Sequence, residues 1–415
     1  MYKNNICYIG LIFIASLLFG LPFFKSLSTD LGIYYLGSKL IDQDYKLYTG
    51  YFDFKGPIIY LYLKTINFLF KFGIYQMYLA IVIFYFIYLT TFFLIIKKNK
   101  KFNLEGIIII FLLLSFLYIQ DYNSFISNFQ IYFLILSALV AVKKKQILSL
   151  IFLSLSILVR IDSILYFIPI SFILLERNIL NFKLILILIC KFLLIYFMLT
   201  LITLNILQVN FVDYLNFNYL FLFSYFKNIN LDGSNNFINF FGGIKISLYK
   251  VFFYFKNNNI ILEQIYYLIL YYIFFVILLK KINFKKIDIY KYIFLSITGF
   301  AIFLYSGSVK SYHWINLWAP VFISILLIAK NNLDSLRKFP LILIILLINI
   351  HTGTIIYESI KQRCFLLKSS CDNFLTRNKD LFLYFKNLKK DKKINILSDE
   401  PYFYIGTNLL ANLDY

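Results

Sequence analysis

Apolar residues along this chain come in long runs rather than in the short alternations of a half-buried strand. The runs are 6–24, 57–72, 74–96, 104–119, 126–142, 146–175, 184–207, 251–279, 292–305, 314–329 and 340–357, with polar or lysine-rich segments between them. A bilayer's hydrocarbon core is about 30 Å thick and is crossed by a helix of about 17–25 apolar residues. The pattern therefore predicts an all-α polytopic membrane protein, a bundle of about 11–13 transmembrane helices. The first run is expected to be an uncleaved helix, since only Lys3 precedes it and no small-x-small cleavage site follows. Two runs depart from the norm: 57–72 is short for a span, and 146–175 is long for a single one.

Lysines orient the two ends of the chain but leave the middle open. Lys280, Lys281, Lys285, Lys286 and Lys291 mark one cytoplasmic loop, and Lys330, Arg337 and Lys338 mark another. Working outward from these, residues 208–250, 306–313 and the tail from 358 face the exterior. Lys3 on the inside puts residues 25–56 outside as well. Eleven spans satisfy both ends, but they leave Lys97–Lys101 and Lys143–Lys145 outside, against the charge rule. Bringing both blocks inside requires 57–72 to be re-entrant and 146–175 to break near Arg160 and Asp162. Both arrangements remain open on the pattern alone.

Composition agrees with the class and narrows the partners. The chain is 61% hydrophobic and only 15% charged, with mean hydropathy +0.77, which excludes a soluble globule. Its net charge of +21 comes from lysines between spans, so the expected partners are membrane lipids and no nucleic acid. The chain contains no CxxC, HExxH, phosphate loop or GxSxG, and no DxD motif on a soluble nucleotide-sugar domain. No internal repeat is visible. Cys364 and Cys371 lie outside; if the segment between them is helical, about 10 Å of rise separates them, too far for a disulfide. Arg160 and Asp162 are functional candidates because charges inside an apolar run are rarely idle, although a paired turn at the surface would also accommodate them.

The outer loop at 25–56 has the richest chemistry. Its "STDLGIYYLGSKLIDQDYKLYTGYFDFKGP" holds Asp30, Asp42, Asp44 and Asp53. Asp30, in Ser28-Thr29-Asp30, has the sequence of a helix N-cap. Residues 31–47 carry Ile33, Leu36, Leu40 and Leu47 at spacings that suit a helix on the membrane surface. Gly56-Pro57 opens a helix, with proline at its first turn. Lys55 then stands at the positive end of that helix's dipole, a poor place for a cation unless an anion arrives between them. The other outer segments hold Lys310 and His313, beside Trp314 and Trp318, and Asp213 and Asp232 in a loop that reads as solvated. His351 falls inside the last run and reads as a core residue.

An acidic residue after the first span, an amphipathic stretch and then "YFDFKGP" opening the next helix resemble the first outer loop of GT-C-type glycosyltransferases. The nearest branch is the family 39-like group, with the protein O-mannosyltransferases and the lipid A aminoarabinose transferases. "VKSYHWINLWAP", residues 309–320, is similar to that group's histidine-bearing segment ahead of a late span. "INILSDEPYFYIGTN", residues 394–408, resembles the small strand-rich tail of its bacterial members. The resemblance implies a transmembrane transferase domain over 1–357, with outer loops at 25–56, 208–250 and 306–313. A short extracytoplasmic region, 358–415, would follow.

It also implies a reaction: transfer of a sugar from a polyprenyl-phosphate donor to a lipid, glycan or protein acceptor at the outer face of the plasma membrane. A carboxylate must take the acceptor's proton, and cations must hold the departing phosphate. Asp30 is the candidate base. Lys55, Lys310 and His313 are the candidate phosphate ligands. Tyr51, Asp53, Asn128 and Arg160 are further candidates for contact with substrate. Where relatives often carry a second acidic residue, this chain has Asn128 and Gln130. No cofactor is therefore expected, and the residues give no support to a divalent metal. Two other classes share the composition. An O-antigen-type polymerase or ligase should concentrate arginines in its outer loops, and 208–250 has none. A lipid-linked glycan flippase should show repeated halves or charges in several spans.

Overall fold

The computed structural model describes residues 2–20, 56–70, 75–96, 125–175, 181–220 and 295–302. It also describes Tyr34, Gly37, Ser38, Ile41, Leu47, Tyr48, Tyr357, residues 393–394 and residues 410–411. Its helices are α1 (Tyr2–Gly20), α2 (Pro57–Leu69), α3 (Tyr75–Ile96) and α4 (Phe125–Val142). They continue with α5 (Gln146–Val159), α6 (Phe167–Leu175), α7 (Phe182–Ile206) and α8 (Phe211–Leu215). A 3₁₀ segment, Ile161–Tyr166, joins α5 to α6, and a π-helical turn, Asn216–Leu220, follows α8. Among the described residues the one strand ladder pairs Lys393 with Leu410 and Ile394 with Ala411 in parallel. The expected spans 104–119, 251–279 and 314–329 lie outside the described residues, as do Cys364 and Cys371.

The described part is all-helical apart from that ladder, and α4 and α7 are long and apolar enough to cross a membrane. They use that apolarity differently. Between Phe125 and Ala141 α4 is buried except at the half-buried Tyr132 and Phe133, polar residues Ser127, Asn128, Gln130 and Ser137 included. Small residues let α5 approach it closely. Ser137 and Ser149 donate hydroxyls to each other's carbonyl oxygens at 2.9 and 3.0 Å, and Ser156 sits 2.9 Å from the Gln130 carbonyl oxygen. These pairs ascend one helix while descending the other, so α4 and α5 are antiparallel. α7 instead turns Leu193, Leu194, Met198 and Ile202 outward, each more than half exposed. An outward face made of Leu, Met and Ile suits lipid and not water.

Aromatic contacts set the remaining directions. Tyr8 packs on Phe93 and Phe13 on Phe86, while the Tyr78 hydroxyl donates to the Leu17 carbonyl oxygen, so α1 and α3 are antiparallel. Phe84 meets Phe125 and Phe129, and Tyr88 meets Tyr132, so α3 and α4 are parallel. One end of the bundle therefore carries the start of α1, the end of α3 and the end of α4. There α3 stops at Ile96, immediately before Lys97–Lys101 in sequence, and α4 stops before Lys143–Lys145.

The turn at that end shows how the long run 146–175 is divided. Lys144 closes α4 in the left-handed region at φ 58°, its amide bonded to the Ala141 carbonyl oxygen, and the Lys145 amide reaches back to Val140. Glycine is the usual residue there. Lysine is explained by its ammonium, which donates to the Ile173 carbonyl oxygen at 2.6 Å and offsets the negative end of α6. The end of α6 is thereby tied to the start of α5. Hence α5 and the 3₁₀–α6 segment form an up-and-down hairpin that breaks at Arg160. The break near Arg160 and Asp162, which one of the two open arrangements required, is present.

The segment before α3 behaves similarly. Gly20, at the end of α1, lies against Tyr78 and Val82 near the start of α3, so residues 21–74 leave and return at one end of the bundle. Within that segment α2 has 13 residues and is about 20 Å long, short of a bilayer core. Of the stretch expected as a surface helix, Tyr34, Gly37, Ser38 and Ile41 are helical and buried. Their i, i+3, i+4, i+7 spacing makes one face. Ser38 accepts a hydrogen bond from the Asn67 amide at 2.9 Å, which ties this stretch to α2.

Candidate functional site

At the end of the bundle opposite the lysine turn, the break after α5 gathers four buried polar residues, Ser127, Gln130, Ser156 and Ser163, around the Arg160–Asp162 pair. Val159 ends the helix, and Arg160 is extended, with φ −148° and ψ 127°. That departure frees the last carbonyls of α5 from intrahelical bonding. The Val159 carbonyl oxygen accepts from the Gly56 amide at 3.3 Å, so the residue that opens α2 docks directly on the broken end of α5.

Gly56 itself has φ −64° and ψ 152°, the extended conformation favoured before proline, so its glycine is not there for backbone freedom. It is there for space. A Cβ would lie against the Leu158 carbonyl oxygen and 2.7 Å from that of Val159. Behind Gly56, Pro57 fills the first helical position, where its missing N–H costs nothing. α2 has no side-chain cap and no acidic residue in its first turn. Its positive end is left for something outside the helix.

Around the break, α4 presents Ser127 and Gln130, three residues apart and so on one helical face. The Arg160 guanidinium donates to Asp162 at 2.8 Å and to the Ser127 hydroxyl at 3.2 Å. The Gln130 amide nitrogen donates to the Asp162 carboxylate and to the Ser163 hydroxyl, each at 2.8 Å. Ser163 also lies 2.9 Å from the Ser156 hydroxyl. The Gln130 amide oxygen is buried and has no hydrogen-bond partner, which makes it a spare acceptor inside the cluster. Only two of the five guanidinium N–H donors of Arg160 are engaged by Ser127 and Asp162. The site thus offers spare donors, a spare acceptor and an uncapped helix start within one region.

A second cluster lies on α7 and α8. The Tyr196 hydroxyl is 3.0 Å from that of Tyr214 and also meets Tyr219, while Tyr48 packs its ring on Tyr214. Tyr48 holds φ 77°, uncommon for a bulky residue, so the Leu47–Tyr48 turn is held by its packing. Burial, reinforced by Tyr196, Tyr219 and Tyr48, pushes the Tyr214 phenol well above its ordinary range. It stays a neutral hydroxyl at any physiological pH.

Of the residues singled out on sequence grounds, Arg160 is at the centre of the break. Asn128 faces the other way, its amide nitrogen 3.4 Å from the Tyr85 hydroxyl on α3. Asp30, Tyr51, Asp53, Lys55, Lys310 and His313 lie outside the described residues. Sequence reasoning named none of Ser127, Gln130, Ser163 and Gly56 as a site residue; it noted Gly56 only as a helix opener and Gln130 only as standing where relatives carry an acidic residue. The i, i+3 pairing of Ser127 with Gln130 was the signal available for two of them. No protein family matches this chain, and neither does any curated protein or solved structure.

Proposed function

We propose that this chain is an integral-membrane glycosyltransferase of the plasma membrane. It moves a sugar from a polyprenyl-phosphate donor to a lipid, glycan or protein acceptor at the extracytoplasmic face. In this reading the lysine end of the bundle is cytoplasmic, as the clustering of positive charge requires. The break end is then outside. One observation carries the reading: the Gly56 amide bonds the Val159 carbonyl oxygen. It joins the Lys-Gly-Pro helix start of the first outer loop to the charged break in 146–175, two features picked out independently and about a hundred positions apart in the chain.

The chemistry divides among the residues. Lys55, directly before Gly56, and the uncapped start of α2 hold the donor's phosphate. Arg160 adds positive charge at the same level, and Asp162 and Ser127 fix its guanidinium in orientation. The phosphate leaves as an anion, so cations arranged beforehand lower the barrier to its departure. Asp30 takes the proton from the acceptor hydroxyl or amine.

Two substitutions test the assignment. Asp30→Asn should preserve membrane insertion while lowering sugar transfer by about 100-fold, the scale for loss of a general base. Turnover equal to wild type would remove Asp30 from the mechanism. Lys55→Ala should weaken binding of a sugar-free polyprenyl phosphate by about 10- to 100-fold, the scale of one charge-assisted hydrogen bond. Lys55→Arg should recover part of that loss, because a planar fork replaces a compact ammonium imperfectly. Equal affinity for all three proteins would reduce the motif to a helix start.

A further inference from the structure

Helix lengths assign a depth to the Arg160 break, an assignment that rests on the membrane reading above. In that reading Lys143–Lys145 mark the cytoplasmic boundary of the hydrocarbon, and α5 begins at Gln146 directly after them. Its 14 residues rise about 21 Å, against a hydrocarbon core of about 30 Å. α4 gives the same level independently. It ends at the same boundary, and Gln130 and Ser127 in its first turns, 12 and 15 residues before Val142, lie about 18 and 22 Å above that end. Arg160 and Asp162, bonded to those two residues, therefore lie about 9 Å beneath the outer hydrocarbon boundary.

An ion pair at that depth is costly against lipid. Yet the Arg160 and Asp162 side chains keep 15% and 16% of their surface open. Beside them the fully buried Gln130 amide oxygen lacks a donor. α2 starts at the same level, because Gly56 bonds Val159. Charged groups with open surface, a spare acceptor and an uncapped helix start at one depth describe a hydrated site, not a lipid contact.

We infer that the break is the floor of a water-filled recess, dipping about 9 Å into the bilayer from the outer face, and that α2 is the re-entrant helix that forms one wall. The recess takes the phosphorylated head of a lipid. Such a head must leave the head-group plane and descend, which a long flexible polyprenyl tail permits. From the other face the recess is closed by the length of α5 and by the buried serine contacts of α4.

Thiol chemistry tests this without reference to catalysis. Cys7, Cys190, Cys364 and Cys371 are replaced by serine, and single cysteines are introduced as Ile161→Cys, Arg160→Cys and Leu194→Cys. Intact cells are treated with a negatively charged, impermeant methanethiosulfonate. The reagent attacks thiolates, which form in water and not in hydrocarbon. Ile161→Cys and Arg160→Cys should be modified at least about 100-fold faster than Leu194→Cys on the outward face of α7. Polyprenyl phosphate should slow the reaction at Ile161→Cys several-fold. Rates at 160 and 161 as low as at 194 would overturn the recess, and rates indifferent to polyprenyl phosphate would overturn its ligand. Rapid reaction at 194 would overturn the membrane placement on which the depth rests. Labelling as expected in a protein that transfers no sugar would uphold the recess and sink the transferase reading alone.

Discussion

Replacing Arg160 with leucine should destabilise the protein by roughly 3 kcal/mol, and replacing Asp162 with leucine as well should return most of that loss. The single change strands a carboxylate that is largely buried and keeps only the Gln130 amide as a partner. The value belongs at the lower end for a broken buried pair, because the slight exposure lets water screen the charge. The double change removes both charges and leaves apolar bulk, which buried pairs often tolerate without loss. Stability and function then separate. If the pair only shapes the turn, Arg160→Leu/Asp162→Leu should transfer sugar normally. If Arg160 stabilises the departing phosphate, the stable double variant should still lose about 100-fold or more in transfer, the scale for removing one preorganised electrostatic donor. Thermal unfolding in detergent and sugar transfer, measured on the same three proteins, decide between the two.

Gly56→Ala should be the most damaging small substitution in the described part of the chain. The backbone conformation suits alanine, so the cost is wholly steric. The added carbon would press on the carbonyl groups of Leu158 and Val159, which are backbone and cannot rotate away. Either α2 moves off the break or α5 distorts, at a cost of roughly 3 kcal/mol. If the junction belongs to the proposed transfer site, a displacement of about 1 Å there should also lower transfer by about 100-fold, since the reacting groups would no longer be held in register. Gly10→Ala is the control. Nothing lies within 4 Å of where its Cβ would sit, and it is inside α1. That change should be neutral or stabilising by up to about 1 kcal/mol. Equal melting temperatures for the two variants would show that α2 does not depend on its contact with the break.

The consequences of the break reach beyond the site. Because 146–175 folds back on itself and 21–74 returns to its point of departure, Lys143–Lys145 and the end of α3 share one end of the bundle. The two odd segments of the hydrophobic pattern, one too short and one too long, are also the two that meet at the Gly56–Val159 contact.

Local pattern alone determined much of this protein. The apolar runs located α1, α3, α4 and α7 within a few residues, because a helix's boundaries follow from where apolar residues begin and stop. The excess length of 146–175 and its two charges favoured a break there, because a single span has little room for them, but the pattern left the choice open. Proline and glycine marked the start of α2. Tertiary structure decided what these elements do together. Asn128 and Gln130 are two residues apart and indistinguishable as polar interruptions of a span, yet one faces Tyr85 and the other faces Asp162. Which face meets which neighbour depends on the rotation of α4 between α3 and α5, and packing sets that rotation. Gly56 read as a helix opener, and only the approach of Leu158 and Val159 gave it a reason to lack a side chain. A helix's length and ends come from interactions between near neighbours, which the pattern records. The meeting of residues 56 and 159 comes from contacts between segments far apart in the chain, which it does not.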